Sequence, residues 1–243
     1  MIKFEHVSFA YGDHKVLQDL SFHIEKGERV GLIGANGAGK STLMKAALGL
    51  IPFEGKISVD GVEVCRENLP KIRKALGYVL QDSDNQMFMP TVLEDMIFGP
   101  MNYGLSREEA ERIADKTLEE LELQHLKTRH NHKMSGGEKR MAAIATILAM
   151  QPEAMLMDEP STALDPQNRR KLINTLNSVP VTKIIAAHDL DLVLETCDRV
   201  ILLHHGRLGA DGTTKEILTD EELLGNNHLE LPLCLAGAPK SFI

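Results

Sequence analysis

The residues with the plainest chemistry lie close to the N-terminus. Gly34-Ala35-Asn36-Gly37-Ala38-Gly39-Lys40-Ser41 follows the spacing G-x-x-x-x-G-K-[ST]. A short apolar run over 30–33 precedes it, and a helical pattern over 40–50 follows it. In that context glycines let backbone N–H groups turn inward as an anion nest. The helix adds the positive end of its dipole. Lys40 can then reach the β- and γ-phosphates of a nucleoside triphosphate, and the Ser41 hydroxyl can ligate Mg²⁺. An ordinary glycine-rich turn is the plain alternative, and the strand-to-helix placement argues against it.

A second constellation is acidic. Residues 154–157 are apolar and end in Asp158-Glu159. A buried strand ending in Asp can hold Mg²⁺ through water. Glu159, next along, can orient or deprotonate an attacking water. Alone, such a pair reads as a helix cap or a solvated turn; beside a phosphate loop it reads as chemistry. A third constellation, Met134-Ser135-Gly136-Gly137-Glu138, opens a helical pattern. It offers a hydroxyl, flexible amides and a helix N-terminus, which together form another anion site. One chain has no need of two phosphate cradles. A pair of chains has, if each closes the other's site.

The elements that must position these residues follow from periodicity. The first 30 residues alternate as strands, with a turn at Tyr11-Gly12-Asp13. Residues 56–64 predict a hairpin around Asp60-Gly61. The stretch 82–135 is mostly helical, the clearest pattern running over 107–123. Capping boxes are expected at Thr91…Glu94, Ser106…Glu109 and Ser135…Glu138. Strands and helices then alternate through 154–203, which predicts a mostly parallel sheet with helices on both faces. The expected organisation is a single domain over 1–243. A nucleotide-binding core takes 1–81 and 154–225, a helical lobe is inserted over 82–153, and a mixed tail takes 226–243.

Composition narrows the field. The 27 Lys and Arg against 35 Asp and Glu leave a net charge of −8, which speaks against a surface built to coat nucleic acid. Aromatics are 4% with no Trp, so a base-stacking platform is not expected either. The longest apolar run, near 141–157, contains Gln151, Pro152 and Glu153 and is too short to span a membrane. No secretory signal is visible at the N-terminus. Cys65, Cys197 and Cys234 show no metal or disulfide spacing, and reduced thiols are expected.

The ordered motifs resemble the ATP-binding cassette family along nearly the whole chain. GANGAGKST looks like its first nucleotide motif, which would place Gly34, Asn36, Gly37, Ala38, Gly39, Lys40, Ser41 and Thr42 on phosphate. MSGGEKR resembles the family signature, with Met134 for the usual Leu and Glu138 for the usual Gln. It implies that Ser135, Gly136, Gly137 and Glu138 face the ATP held by a partner chain. The resemblance further implies that Asp158 and Gln81 join Ser41 around magnesium, and that Glu159 activates water with His188 and Lys40 at the γ-phosphate. Tyr11 would stack on adenine, and Asp165 would lie in the loop that crosses the dimer interface. Taken singly, Tyr11 reads as a turn aromatic, Gln81 as a loop polar residue and His188 as a helix cap; their order along the chain carries the likeness.

A narrower resemblance lies after Gln81. Residues 78–88, Thr91-Val92-Leu93-Glu94-Asp95 and Phe98-Gly99-Pro100-Met101-Asn102 are similar to energy-coupling-factor transporters. This implies an ATPase pair, bound at the cytoplasmic face of a membrane, driving an integral scaffold protein and a small substrate-binding membrane protein. The Gly-Pro-Met-Asn run and the short tail with His228-Leu229-Glu230-Leu231-Pro232 look more like nickel/cobalt members than vitamin members. Met87, Phe88 and Met89 would line a groove for a scaffold helix, or else form core. The rivals are the ATPase of another importer, for vitamins or amino acids, and a soluble cassette ATPase. A small-molecule kinase would leave Ser135-Gly136-Gly137 without a purpose.

Overall fold

A computed structural model of the chain describes residues 1–237. The elements are, in order, β1 (Ile2–Tyr11), β2 (His14–Ile24), β3 (Arg29–Ile33), α1 (Lys40–Ala47), β4 (Glu54–Val59), β5 (Val62–Glu63), α2 (Leu69–Ala75), β6 (Leu76–Val79), α3 (Val92–Asn102), α4 (Arg107–Glu120), α5 (Gly136–Ala149), β7 (Ala154–Asp158), α6 (Pro166–Ser178), β8 (Thr182–Ala186), α7 (Leu190–Thr196), β9 (Arg199–His204), β10 (Arg207–Thr213), α8 (Thr214–Leu218) and α9 (Glu221–Asn226). They divide into two compact units, Met1–Ile72 with the chain from Thr182 onward, and Arg73–Val181.

The first unit holds an antiparallel sheet in the order β2-β1-β4-β5. Alternation builds it: Ile2, Phe4 and Val7 of β1 and Leu20, Phe22 and Ile24 of β2 are buried. Phe4 and Phe22 are register partners whose rings stack at 4.5 Å. The same unit holds the strands β10-β9-β3-β8, with β3 parallel to both β9 and β8. Every residue of β8 is buried, as are residues 30–33 of β3 and 200–203 of β9. Continuous burial on both faces is what a parallel strand under helices requires. Each fully buried Ile, Leu or Val there contributes about 1.5–3 kcal/mol. Helix α1 stops at Ala47 rather than residue 50. Gly49 takes φ 59°, Leu50 N–H donates to Lys45 O and Gly49 N–H donates to Ala46 O, which is a Schellman closure.

The second unit pairs β6 with β7 in parallel, Leu76 with Ala154 through Val79 with Met157. Helices α3, α4 and α5 lie between these strands in the chain and pack on one another. Ala110, Ala114 and Leu118 of α4 and Val92, Met96 and Ile97 of α3 face this core. The boxes at Ser106–Glu109 and Ser135–Glu138 are complete. Thr91 caps α3, but Glu94 takes the Thr91 hydroxyl instead of its amide. Helix α2 and a capping box at Thr213–Glu216 went unread in the sequence. The fold is the α/β class expected, with a parallel-rich sheet, an N-terminal antiparallel sheet and helices inserted between strands.

Among the described residues no helix is long and apolar enough to cross a membrane. All three cysteines are free thiols, and burial pushes the Cys197 thiol up to about 12. The tail bends back within the first unit, where the Leu233 and Cys234 N–H groups donate to Asp191 at 3.0 Å. The end of the expected tail, 238–243, lies outside the described residues.

Candidate nucleotide site

In the first unit the phosphate loop begins where β3 leaves its sheet, and His188 follows where β8 leaves it. Parallel neighbours release their loops at the same carboxyl edge, the usual place for a ligand in such sheets. The loop's conformation needs glycine. Gly34 has φ 147°, and a Cβ there would lie 2.3 Å from Leu203 O. Gly37 and Gly39 have φ 79° and 105°. Lys40 is buried, its Nζ donating to Gly34 O at 2.7 Å and to Ala35 O at 3.4 Å. The same Nζ lies 3.2 Å from His188 Nε2. Lys40 and His188, 148 residues apart, are thus brought together. Ala38 and Gly39 are buried, while Asn36 and Gly37 are exposed and Ser41 and Thr42 are half-buried at the start of α1. Asp189, beside His188, caps α7 through Leu192 N–H at 2.9 Å. Tyr11 ends β1, 55% exposed, its ring edge-on to Phe9 at 4.6 Å.

In the second unit the paired strands β6 and β7 release their loops at one edge in the same way. Asp158 is the last residue of β7 and is buried, and Glu159 follows it, also buried, at φ 48°. Gln81 is exposed, two residues past the end of β6. Tyr78, missed in the sequence, donates its hydroxyl to Asp158 Oδ2 at 3.0 Å. Burial, then the Asp158 charge, hold the Tyr78 phenol well above its ordinary value, so it stays a donor. The available signal was a lone hydroxyl in the run 76–79. Tyr78→Phe is expected to cost about 1.5–3 kcal/mol, the worth of a hydrogen bond to a charged group. Urea unfolding at neutral pH measures it; an unchanged midpoint would mean that the bond adds nothing.

The signature-like turn is pinned by its own helix. Ser135 is exposed; its Oγ accepts Glu138 N–H at 3.3 Å, and Glu138 Oε2 accepts Ser135 N–H at 2.8 Å. That amide, then the Ser135 hydroxyl, hold the Glu138 carboxyl below its usual range. A carboxylate at this position completes a capping box, so Glu in place of Gln suits the turn. Gly137 has no room for a side chain, because a Cβ would lie 2.3 Å from Asn168 Cγ. Asn168 in turn bonds both Asp165 oxygens, its N–H to Oδ1 at 2.8 Å and its Nδ2 to Oδ2 at 2.6 Å. Asp165, Asn168 and Gly137 therefore meet. The Met87-Phe88-Met89 segment divides: Met87 is buried, Met89 half-buried and Phe88 64% exposed, edge-on to Phe98 at 4.9 Å.

The chain has counterparts among known proteins. A family model described as ABC transporter matches residues 17–162. The chain belongs to the ABC transporter family. It is an ATPase of that family. It is 41% identical over 239 residues to the energy-coupling factor transporter ATP-binding protein EcfA of Methanothermobacter thermautotrophicus, covering 96% of this chain and 77% of that one. It is similar to the structure of cbiO1 from Clostridium perfringens, part of the ABC transporter complex cbiONQ, with 33% identity, TM-score 0.81 and 97% of each chain covered. It is also similar to a dimeric ATP-binding cassette in a post-hydrolysis state with ADP and Pi. That match has 27% identity and TM-score 0.78, covering 88% of this chain and 99% of that one.

Proposed function

We propose that this ATPase is the energy-supplying subunit of an energy-coupling-factor type membrane transporter that imports cobalt or nickel. The observation that carries the transporter type is the likeness, over almost the full chain, to both an EcfA protein and cbiO1. The metal cargo is supported by the resemblance of residues 98–102 and of the short tail to the nickel/cobalt members. In this reading the chain sits at the cytoplasmic face of the membrane. It pairs with a second cassette chain, in the simplest case a copy of itself. A scaffold protein and a substrate-binding protein complete the complex.

Each residue then has a task. Lys40 and the amides of Gly34, Asn36, Gly37, Ala38, Gly39, Ser41 and Thr42 hold phosphate, and Tyr11 stacks on adenine. Ser41, Gln81 and Asp158 are the magnesium donors. A hydroxyl, an amide oxygen and a carboxylate are hard oxygen ligands, which suit Mg²⁺. The ion, when bound, neutralises charge on the β- and γ-phosphates. Tyr78 steadies Asp158 by holding one of its oxygens. Ser135, Gly136, Gly137 and Glu138 serve the partner chain's γ-phosphate, and Asp165 lines the contact between chains. Glu159 takes a proton from the attacking water while His188 orders it. Cleavage leaves like charges facing each other, and the pair reopens. The opening and closing pass to the membrane partner as a rigid-body switch.

Purification of the tagged chain from solubilised native membranes tests this reading. A scaffold and a small substrate-binding membrane protein, with nickel or cobalt retained, are the expected companions. A vitamin in place of metal changes the cargo and keeps the class. A two-copy permease moves the chain to another importer, and ribosomes or nucleic acid overturn transport. Phe88→Asp is expected to lose most of the co-purifying scaffold. The side chain is exposed, so the charge costs stability within about 0.5 kcal/mol. Met87 is buried, and a charge there would damage the core first. Full scaffold recovery with Phe88→Asp would remove this segment from the docking surface.

A further inference from the structure

Two side chains outside the chemistry above grip the segment that carries Gln81. Arg140 lies in the first turns of α5 and is 4% exposed. Its Nη1 donates to Leu80 O at 2.6 Å, and its Nη2 donates to the Gln81 carbonyl. Gln86 grips from within the loop. Its Oε1 accepts Leu80 N–H at 3.0 Å. Its Nε2 donates to Ala143 O at 2.7 Å and to Thr146 Oγ1 at 3.1 Å, both on α5. At the outer edge Lys139 Nζ meets Asp84 Oδ1 at 2.5 Å. The backbone of 80–81 is therefore held, through both its N–H and its C=O groups, to the helix that Ser135 caps.

Packing alone does not call for this arrangement. Burial penalises the Arg140 guanidinium and holds its pKa below the ordinary value. Its hydrogen bonds go to neutral carbonyls, and its Nε has no hydrogen-bond partner among the described residues. An apolar side chain of similar length would fill the space without that desolvation. The planar fork adds direction, because its fixed donors set two successive carbonyls at once. Gln86 adds the complement, an acceptor for the Leu80 N–H that precedes both carbonyls.

We propose that Arg140 and Gln86 are positioning residues that set Gln81 for magnesium. The inference rests on the assignment of Gln81 as a magnesium donor. Outer-shell partners of a metal donor are typically worth about 10–100-fold in metal affinity.

The test measures equilibrium ATP affinity by calorimetry on the full chain carrying Glu159→Gln, once with Mg²⁺ and once in EDTA. The gain in affinity on adding Mg²⁺ is the readout. Arg140→Met and Gln86→Leu are expected to cut that gain about tenfold and to leave the affinity in EDTA unchanged. Arg140→Lys keeps one donor and is expected to fall between. A merely structural role would lower the melting temperature and leave the gain intact, which overturns the proposal. Gln81→Ala separates the two levels. A reduced gain there beside intact gains in Arg140→Met and Gln86→Leu overturns the clamp alone. An intact gain in Gln81→Ala overturns the magnesium assignment and the clamp with it. Gln86, only half-buried, carries the test if Arg140→Met does not fold.

Discussion

Glu159→Gln is expected to keep ATP binding and to slow hydrolysis by about 10²–10⁴-fold, the usual worth of a positioned general base. Glu159 follows β7 directly, 8% exposed. Its φ of 48° lies in the left-handed region. A non-glycine residue costs about 1–3 kcal/mol there and stays only where its surroundings hold it. Glutamine keeps the shape and the backbone conformation, but its amide oxygen is a poor proton acceptor. The γ-phosphate then stays uncleaved, and the pair of chains stays closed. Phosphate release at saturating ATP, with gel filtration alongside, measures both effects. Undiminished turnover would sink the base assignment. Turnover lost together with ATP binding would point to a structural role for the carboxylate.

Lys40→Ala is the second large effect. ATP binding is expected to weaken about 10–100-fold, since a charge-assisted hydrogen bond is worth about 1.5–3 kcal/mol and each 1.4 kcal/mol is tenfold. Hydrolysis is expected to fall below detection. The ammonium donates to the Gly34 and Ala35 carbonyls and lies against His188 Nε2. Only a neutral imidazole with Nε2 unprotonated can accept from that ammonium. Alanine therefore also removes an internal tie of the loop. Comparing ATP with ADP separates the two roles. A lysine reaching the γ-phosphate makes the loss larger for ATP than for ADP. Equal losses would mean that Lys40 shapes the loop and does not contact the terminal phosphate.

The features legible from the chain alone are those that short-range physics decides. The phosphate loop could be read because positive φ at Gly34, Gly37 and Gly39 demands glycine at fixed spacing. The Ser106 and Ser135 caps could be read because donor and acceptor sit three residues apart. Strands β7 and β8 stood out because burial on both faces demands unbroken apolar runs. Even so, the likeness to a family, and not spacing, suggested tasks for Tyr11, Gln81 and His188. Each is a common residue at a strand end, with no local pattern of its own.

Partners distant in sequence were set by the tertiary structure alone. Tyr78 and Asp158 are 80 residues apart, and the parallel pairing of β6 with β7 brings them to hydrogen-bond distance. Arg140 finds the Leu80 carbonyl across 60 residues. Lys40 finds His188 because β3 and β8 are neighbours in one sheet. Met87 and Phe88 carry the same apolar signal, yet one is buried and the other exposed. In an irregular loop no periodicity assigns a face, so packing decides it. The sequence by itself determined which local shapes form and which chemical groups they offer; sheet order and helix packing decided which groups meet, because strand pairing sets distances that spacing along the chain does not encode.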